Sequence, residues 1–229
     1  LWQSRLLTAR AIERWSITTI TVVLFAATMA AAGLAAYKLT GTSLFPSGDE
    51  PHYLVIAQSL WRDGDLKIEN NHARGDYREY YPEDLEPHYL TRGADSEIYS
   101  IHPIGISVIL APVYALGGYK GSVWFLIALG ALAAVMAWRW TLSSLNAPGA
   151  ATFGWAAIAL SAPFMFNTFT IYPEIAAAVA VMIAFLVTGR SHIPHSGIAR
   201  WIAAGLAIAS LPWLSTKYAP MSGALLVVV

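Results

Sequence analysis

The segment Ser47-Gly48-Asp49-Glu50-Pro51-His52-Tyr53 concentrates groups able to move a proton or hold a charged ligand. Two adjacent acids follow a glycine, and a histidine comes close behind. Pro51 suits the first turn of a helix, where its missing N–H costs nothing. Leu54, Ala57 and Leu60, with Ile56 and Trp61 beside them, carry an apolar helical face to about Arg62. Asp49 and Glu50 therefore stand at a helix N-terminus. One reading of either acid is a cap, worth about 0.3 to 1 kcal/mol. The other is catalytic: Asp49, with Glu50, as an acid–base group held at a membrane surface.

Four more positions are candidates for binding substrate beside His52. His102 precedes Pro103 at the start of a second apolar stretch. Glu174, in Tyr172-Pro173-Glu174, is the one charge between Trp140 and Gly189. It either complements a helix dipole or acts on a ligand, accepting hydrogen bonds from substrate hydroxyls or stabilising a cationic partner. Lys217 and Tyr218 follow Trp213. A lysine there either snorkels to lipid headgroups within an aromatic belt or grips a phosphate. Asp63-Gly64-Asp65 imitates an Asp-x-Asp metal motif, but Asp-Gly at a helix end is ordinary turn chemistry. His72 and His88 read as surface residues, and His192 and His195 receive no role. No spacing makes a His/Asp metal site, so none is assigned. No cofactor is implied, although a divalent metal shared by Asp49, His52 and Glu174 in space stays open. Phosphate loops, dinucleotide fingerprints and nucleophile elbows are absent from the sequence.

The elements that must position these groups are membrane-like. Of 229 residues 56% are hydrophobic and 12% charged, and mean hydropathy is +0.51. Soluble domains carry about 25% charged residues. This composition excludes a disordered chain, a nucleic-acid binder and an ordinary soluble enzyme. The absence of cysteine excludes disulfides, a thiol nucleophile and a thiolate metal site. Net charge is zero, yet between Asp49 and Glu97 there are 12 acids and 5 bases, against 2 acids and 9 bases elsewhere. One acidic insert interrupts a hydrophobic, basic chain.

An apolar helix of roughly 20 residues crosses a bilayer. Spans are expected over residues 17–37, 121–138, 150–170, 174–188 and 201–215, with a sixth over 218–229 that is cut short. The first is longer than the h-region of a signal peptide, the alternative that Arg5, Arg10 and Arg14 suggest. Residues 103–117 are interrupted by Pro112 and closed by Gly117-Gly118. At about 21 Å they fall short of the ~30 Å core and are expected to lie at the membrane surface, as is the helix over 51–62. The positive-inside rule puts Arg5, Arg10, Arg14, Arg139, Arg190 and Arg200 in the cytoplasm and the loop over 40–102 outside. The fold class expected is all-α: a polytopic membrane helix bundle with juxtamembrane helices in a large first outer loop. The start without Met and the end within an apolar run mark it as the N-terminal part of a longer protein.

The order of these features carries a resemblance. A first span leads to Gly48-Asp49-Glu50-Pro51-His52-Tyr53 opening a surface helix. A large loop follows, then Tyr99-Ser100-Ile101-His102-Pro103-Ile104-Gly105 before a second surface helix and further spans. This resembles the GT-C-fold membrane glycosyltransferases, such as the protein O-mannosyltransferases and lipid A aminoarabinose transferases. Pro103-Ile104-Gly105 stands where that superfamily often has a Pro-Pro-Leu-like motif, with one proline missing. The resemblance implies that Asp49 matches the catalytic acid of the first outer loop and Glu174 a second outer acid. It also implies that Lys217 stands where basic residues grip the lipid phosphate. The function implied is inverting transfer of a sugar from a polyprenyl-phosphate donor to a hydroxyl of a glycan, lipid or protein. The outer loop, with Tyr80-Tyr81-Pro82-Glu83-Asp84 and His88-Tyr89, would bind donor or acceptor. Membrane lipids are the other partners and nucleic acid is not one. The implied location is a bacterial inner or plasma membrane, N-terminus cytoplasmic and active site extracytoplasmic.

A transporter subunit and a non-catalytic membrane scaffold are the alternatives. Transporters place ionisable groups near the midplane, whereas here the expected spans have clean interiors and the charges gather at one end. A scaffold would not require Asp49 or Glu174.

Overall fold

A computed structural model describes residues 2–42, 44–188 and 197–228, except for the side chains of residues 2–15 and of Thr188. Arg190, His192 and His195 lie outside the described residues, and Arg5, Arg10 and Arg14 are described only as helix backbone. Among the described residues the structure is helical, with no strand and an isolated bridge between Lys67 and Tyr99. The elements are α1 (Trp2–Leu39), α2 (Glu50–Arg62), α3 (Glu69–Arg74), α4 (Gly105–Leu145), α5 (Pro148–Ala159), α6 (Ala162–Phe169), α7 (Glu174–Thr188), α8 (Ile198–Leu214) and α9 (Ala219–Val228). Short 3-10 turns occupy Asp76–Glu79 and Thr216–Tyr218.

Two helices are long and apolar enough to cross a membrane, Ser16–Leu39 and Gly105–Leu145, or three if the bent pair α5–α6 counts as one. α4 is broken at Gly118 (φ 57, ψ −152), a backbone conformation open to glycine. Residues 105–117 give about 20 Å of helix before the break. Beyond it the helix runs past Arg139, where the span was expected to end, to Leu145. No helix breaker intervenes until Asn146 takes a left-handed C-cap (φ 49) ahead of Pro148. A second correction concerns residues 150–170, expected as one continuous span. They form α5 and α6, bent by 61°. Ser161 is extended (φ −73, ψ 142), and Pro163 has no N–H to return to α5.

The helices meet at two ends. At one, the backbone of Gly105 lies so close to α8 that a Cβ there would stand 2.7 Å from the Trp213 carbonyl oxygen. At this same end the α6–α7 junction meets the start of α2, and the turn after α8 meets the start of α7. At the other end Leu24, Trp138, Ala151 and Trp155 form a second core with Ile17, Ile20 and Leu142. The buried indoles there are satisfied: Trp155 Nε1 donates to Thr28 Oγ1 (3.1 Å) and Trp138 Nε1 to Thr152 Oγ1 (3.3 Å).

The five bases of the acidic stretch between α1 and α4 are all paired with acids of the same stretch, which stays acidic in sum. Arg62 pairs with Asp76 and Glu79, Arg74 with Asp63 and Asp76, Arg78 with Asp84, Arg92 with Glu69, and Lys67 with Glu97. Beneath them Gln58, fully buried, donates to the Tyr114 hydroxyl (2.9 Å) and accepts from Tyr80 (2.9 Å). Asp63 and Asp65 are both engaged. Asp63 accepts from Asn71 and Arg74, while Asp65 accepts from Ser59 Oγ and the Lys67 N–H. Their role is to close the turn after α2.

Candidate functional site

Asp49 reaches its place through a glycine. Gly48 adopts φ +59, and a Cβ on it would lie 2.7 Å from the Tyr172 hydroxyl. That hydroxyl accepts the backbone N–H of Asp49 (3.0 Å) and faces the Ser47 carbonyl (3.4 Å). The N-terminus of α2 is thereby tied to the α6–α7 junction. Asp49 occupies the N-cap position, yet its side chain makes no capping hydrogen bond. Its half-buried carboxylate has no hydrogen bond or ion pair among the described residues. Its position keeps the favourable dipole interaction of an acid at a helix N-terminus, without a capping hydrogen bond.

Glu50 does the backbone work instead. Its residue surface is 0% exposed. One oxygen accepts the Ser47 N–H (3.0 Å) and the other the Ile171 N–H (2.7 Å). Burial pushes its pKa from the ordinary 4.5 up to about 7, against the two N–H groups, which pull it down. Glu50, expected to share the catalysis, has both oxygens committed and no open face. It is a positioning residue for the turn that carries Asp49.

The later candidates converge on the same end. Lys217 Nζ lies 2.5 Å from Glu174 Oε1 and 5.2 Å from the Tyr218 ring centroid. The side chains are 54% and 33% exposed, so the pair adds little stability. In this structure Lys217 is paired with Glu174. Glu174 Oε2 and the Tyr218 hydroxyl are buried without a partner among the described residues. Tyr53 ties the halves together. Its ring centroid lies 6.0 Å from that of Tyr172 and 5.1 Å from that of His102. Burial, with the charges of Asp49 and Glu174, raises its phenol to about 12.

His52 and His102 join this neighbourhood through a third histidine that the sequence did not single out. The His52 ring stacks on His88 at 3.6 Å, and His88 Nδ1 lies 3.1 Å from His102 Nε2. Burial, reinforced by the other histidines, lowers His52 to about 3; burial also lowers His102. His88, read as a surface residue, is exposed but not solitary. The three positions are too far apart in sequence for any ligand spacing to reveal them. Separately, a groove of ≈ 280 Å³ is lined by Gly41, Phe45, Pro46, Tyr80, Tyr81 and Glu83 among others. It is built from the aromatic stretch expected to contact a sugar, but none of the candidate site residues lines it.

The buried carboxyl makes stability depend on pH in a defined direction. Glu50 is held at about 7 against 4.5. Its contribution is fully present below pH 4.5 and is lost as pH rises through 7. His52, held at about 3 against 6.5, runs the other way: its contribution is present above pH 6.5 and is lost as pH falls through 3. Glu50→Gln removes the first effect and leaves the second. In chelator-treated protein, the stability of the variant relative to the parent is expected to rise by up to roughly 3 kcal/mol between pH 4.5 and 7. Parallel melting curves across that range would contradict the burial of the acid.

Comparison with protein-family models, curated proteins and solved structures returns no match.

Proposed function

We propose that the chain is part of a polytopic membrane glycosyltransferase, with the segment between α1 and α4 forming a large loop outside the cytoplasm. It moves a sugar from a polyprenyl-phosphate donor to an acceptor hydroxyl at the outer surface of an inner or plasma membrane. The observation that supports this reading best is the gathering at one end of the helices of a carboxylate without a partner, Asp49, and the Glu174–Lys217–Tyr218 group. Of the basic residues expected in the cytoplasm, Arg139 and Arg200 lie toward the other end: Arg139 precedes the end of α4 and Arg200 donates to the Leu186 carbonyl of α7 (3.5 Å).

Asp49 accepts the proton of the acceptor hydroxyl as its oxygen attacks the anomeric carbon. The bond from that carbon to the phosphate oxygen breaks, configuration inverts, and polyprenyl phosphate leaves with the added charge. Lys217 turns from Glu174 to the donor phosphate on binding and stays with it as the charge grows. Glu174 Oε2 and the Tyr218 hydroxyl, unpartnered among the described residues, hydrogen-bond to the sugar. The bilayer holds the lipid tail and delivers the donor by diffusion in the membrane plane.

The test uses the full chain in proteoliposomes with a panel of polyprenyl-phosphate hexoses and pentoses, following release of polyprenyl phosphate. Lys217→Met is expected to raise KM for the donor about tenfold, the loss of one charge-assisted contact, with a smaller change in kcat. Equal KM for parent and variant would remove Lys217 from the donor site. Failure of every donor, together with flux of sugars across sealed vesicles, would replace this reading with transport.

A further inference from the structure

We propose that His52, His88 and His102 bind one divalent transition-metal ion of the zinc type, with three imidazole ligands and a fourth position toward the exposed side of His88. One ligand atom from each residue lies within 4.8 Å of the other two. Zinc–nitrogen bonds of 2.0–2.1 Å in tetrahedral geometry set neighbouring nitrogens about 3.3 Å apart. His88 Nδ1 and His102 Nε2 stand at 3.1 Å. A hydrogen bond between those two rings would account for the pair but not for the third member. His52 is 4% exposed and its ring has no hydrogen bond among the described residues; stacked on His88 at 19°, it turns out of that stack to aim a nitrogen at the shared ion.

A backbone hydrogen bond holds the His88 segment beside Ile101 and His102 independently of any ion, and the His52 ring packs against both. His52 lies in the first turn of α2. The Ile101 N–H donates to the His88 carbonyl (3.0 Å), and the His102 N–H donates to Ser100 Oγ (3.2 Å). Imidazole nitrogen selects zinc, copper or nickel over magnesium or calcium, which take oxygen ligands. Three protein ligands with an open position are the donor set of catalytic rather than structural zinc sites. Asp49 is near enough for its charge to act on His102. The ion staples the loop at His88 to the start of α2, beside the proposed base. This site goes beyond glycosyl transfer and stands or falls separately, because its test reads metal and not sugar.

The full chain, purified through a tag without histidine and stripped with chelator, is titrated with zinc chloride and with cobalt chloride. The expected result is one zinc per chain by elemental analysis and the visible absorption of a tetrahedral cobalt centre. His88→Ala removes a ligand from an exposed loop and leaves the core intact. It is expected to weaken zinc binding by more than the roughly 10- to 100-fold that a supporting residue costs and to abolish the cobalt spectrum. His72→Ala, in the same segment but outside the cluster, should leave both unchanged. No stoichiometric uptake at micromolar free zinc, or His88→Ala binding zinc as tightly as the parent, would overturn the site.

Discussion

Asp49→Asn is expected to reduce sugar transfer by about 10²- to 10⁴-fold, the usual contribution of a general base, and to leave the melting temperature nearly unchanged. The two halves of that expectation have separate causes. The Asp49 carboxylate makes no capping bond and has no hydrogen bond or ion pair among the described residues. An amide of the same shape therefore removes little that holds the fold together. What the amide cannot do is accept a proton. Donor binding should persist, because Lys217, Glu174 and Tyr218 are untouched, so the loss falls on kcat rather than KM. The assay is polyprenyl phosphate release in proteoliposomes, run beside thermal melting in detergent. A melting temperature that collapses with the activity would return Asp49 to a structural role.

The neighbouring acid should behave in the opposite way. Glu50→Ala leaves the Ser47 and Ile171 N–H groups without their acceptor in a buried site. Each such orphan costs about 1–3 kcal/mol, so the variant is expected to lose roughly 2–5 kcal/mol. For a chain of this size that is a fall of roughly 5–15 °C in melting temperature. Activity falls with stability, because the turn carrying Asp49 loses its attachment to the α6–α7 junction. Glu50→Gln keeps one acceptor oxygen and should lose less than half as much. If both Glu50 variants melt like the parent while transfer is abolished, Glu50 acts on substrate and the positioning role is wrong.

A smaller prediction probes the same turn. Gly48→Ala both strains a positive φ, at roughly 1–2 kcal/mol, and drives a methyl against the Tyr172 hydroxyl. Adding Tyr172→Phe should recover the steric part of the loss and not the backbone part. Equal stability of the single and double variants would mean that the contact does not constrain Asp49.

Much of this arrangement was legible because membrane helices are specified by local composition. Proline and glycine mark α2 at Pro51, the turn at Gly64, the break at Gly118 and the start of α5 at Pro148. The placement of basic residues, and the acids confined to one stretch, pointed to the end where Asp49, Glu174 and Lys217 meet. The bend between α5 and α6 is marked in the sequence by Ser161 and Pro163, but the expectation for residues 150–170 rested on hydropathy, which does not register a proline break. The division of labour between Asp49 and Glu50 was invisible. Adjacent residues share every sequence signal, and only the approach of the Ile171 N–H from the α6–α7 junction distinguishes them. His52 and His102 were candidates from the sequence, but their grouping with His88 was not visible there: the folding of the loop, not spacing, brings His88 to His52.

The absence of cysteine makes sidedness directly measurable. Single cysteines are introduced at three exposed positions: Asp84 in the segment between α1 and α4, Thr216 next to Lys217, and Ser144 at the C-terminal end of α4. Sealed, right-side-out membrane vesicles are treated with a membrane-impermeant thiol reagent before and after permeabilisation. Asp84→Cys and Thr216→Cys should label at once and Ser144→Cys only after permeabilisation. Labelling of Ser144→Cys in intact vesicles, or protection of Thr216→Cys alongside reactive Asp84→Cys, would contradict a single site on the outer face.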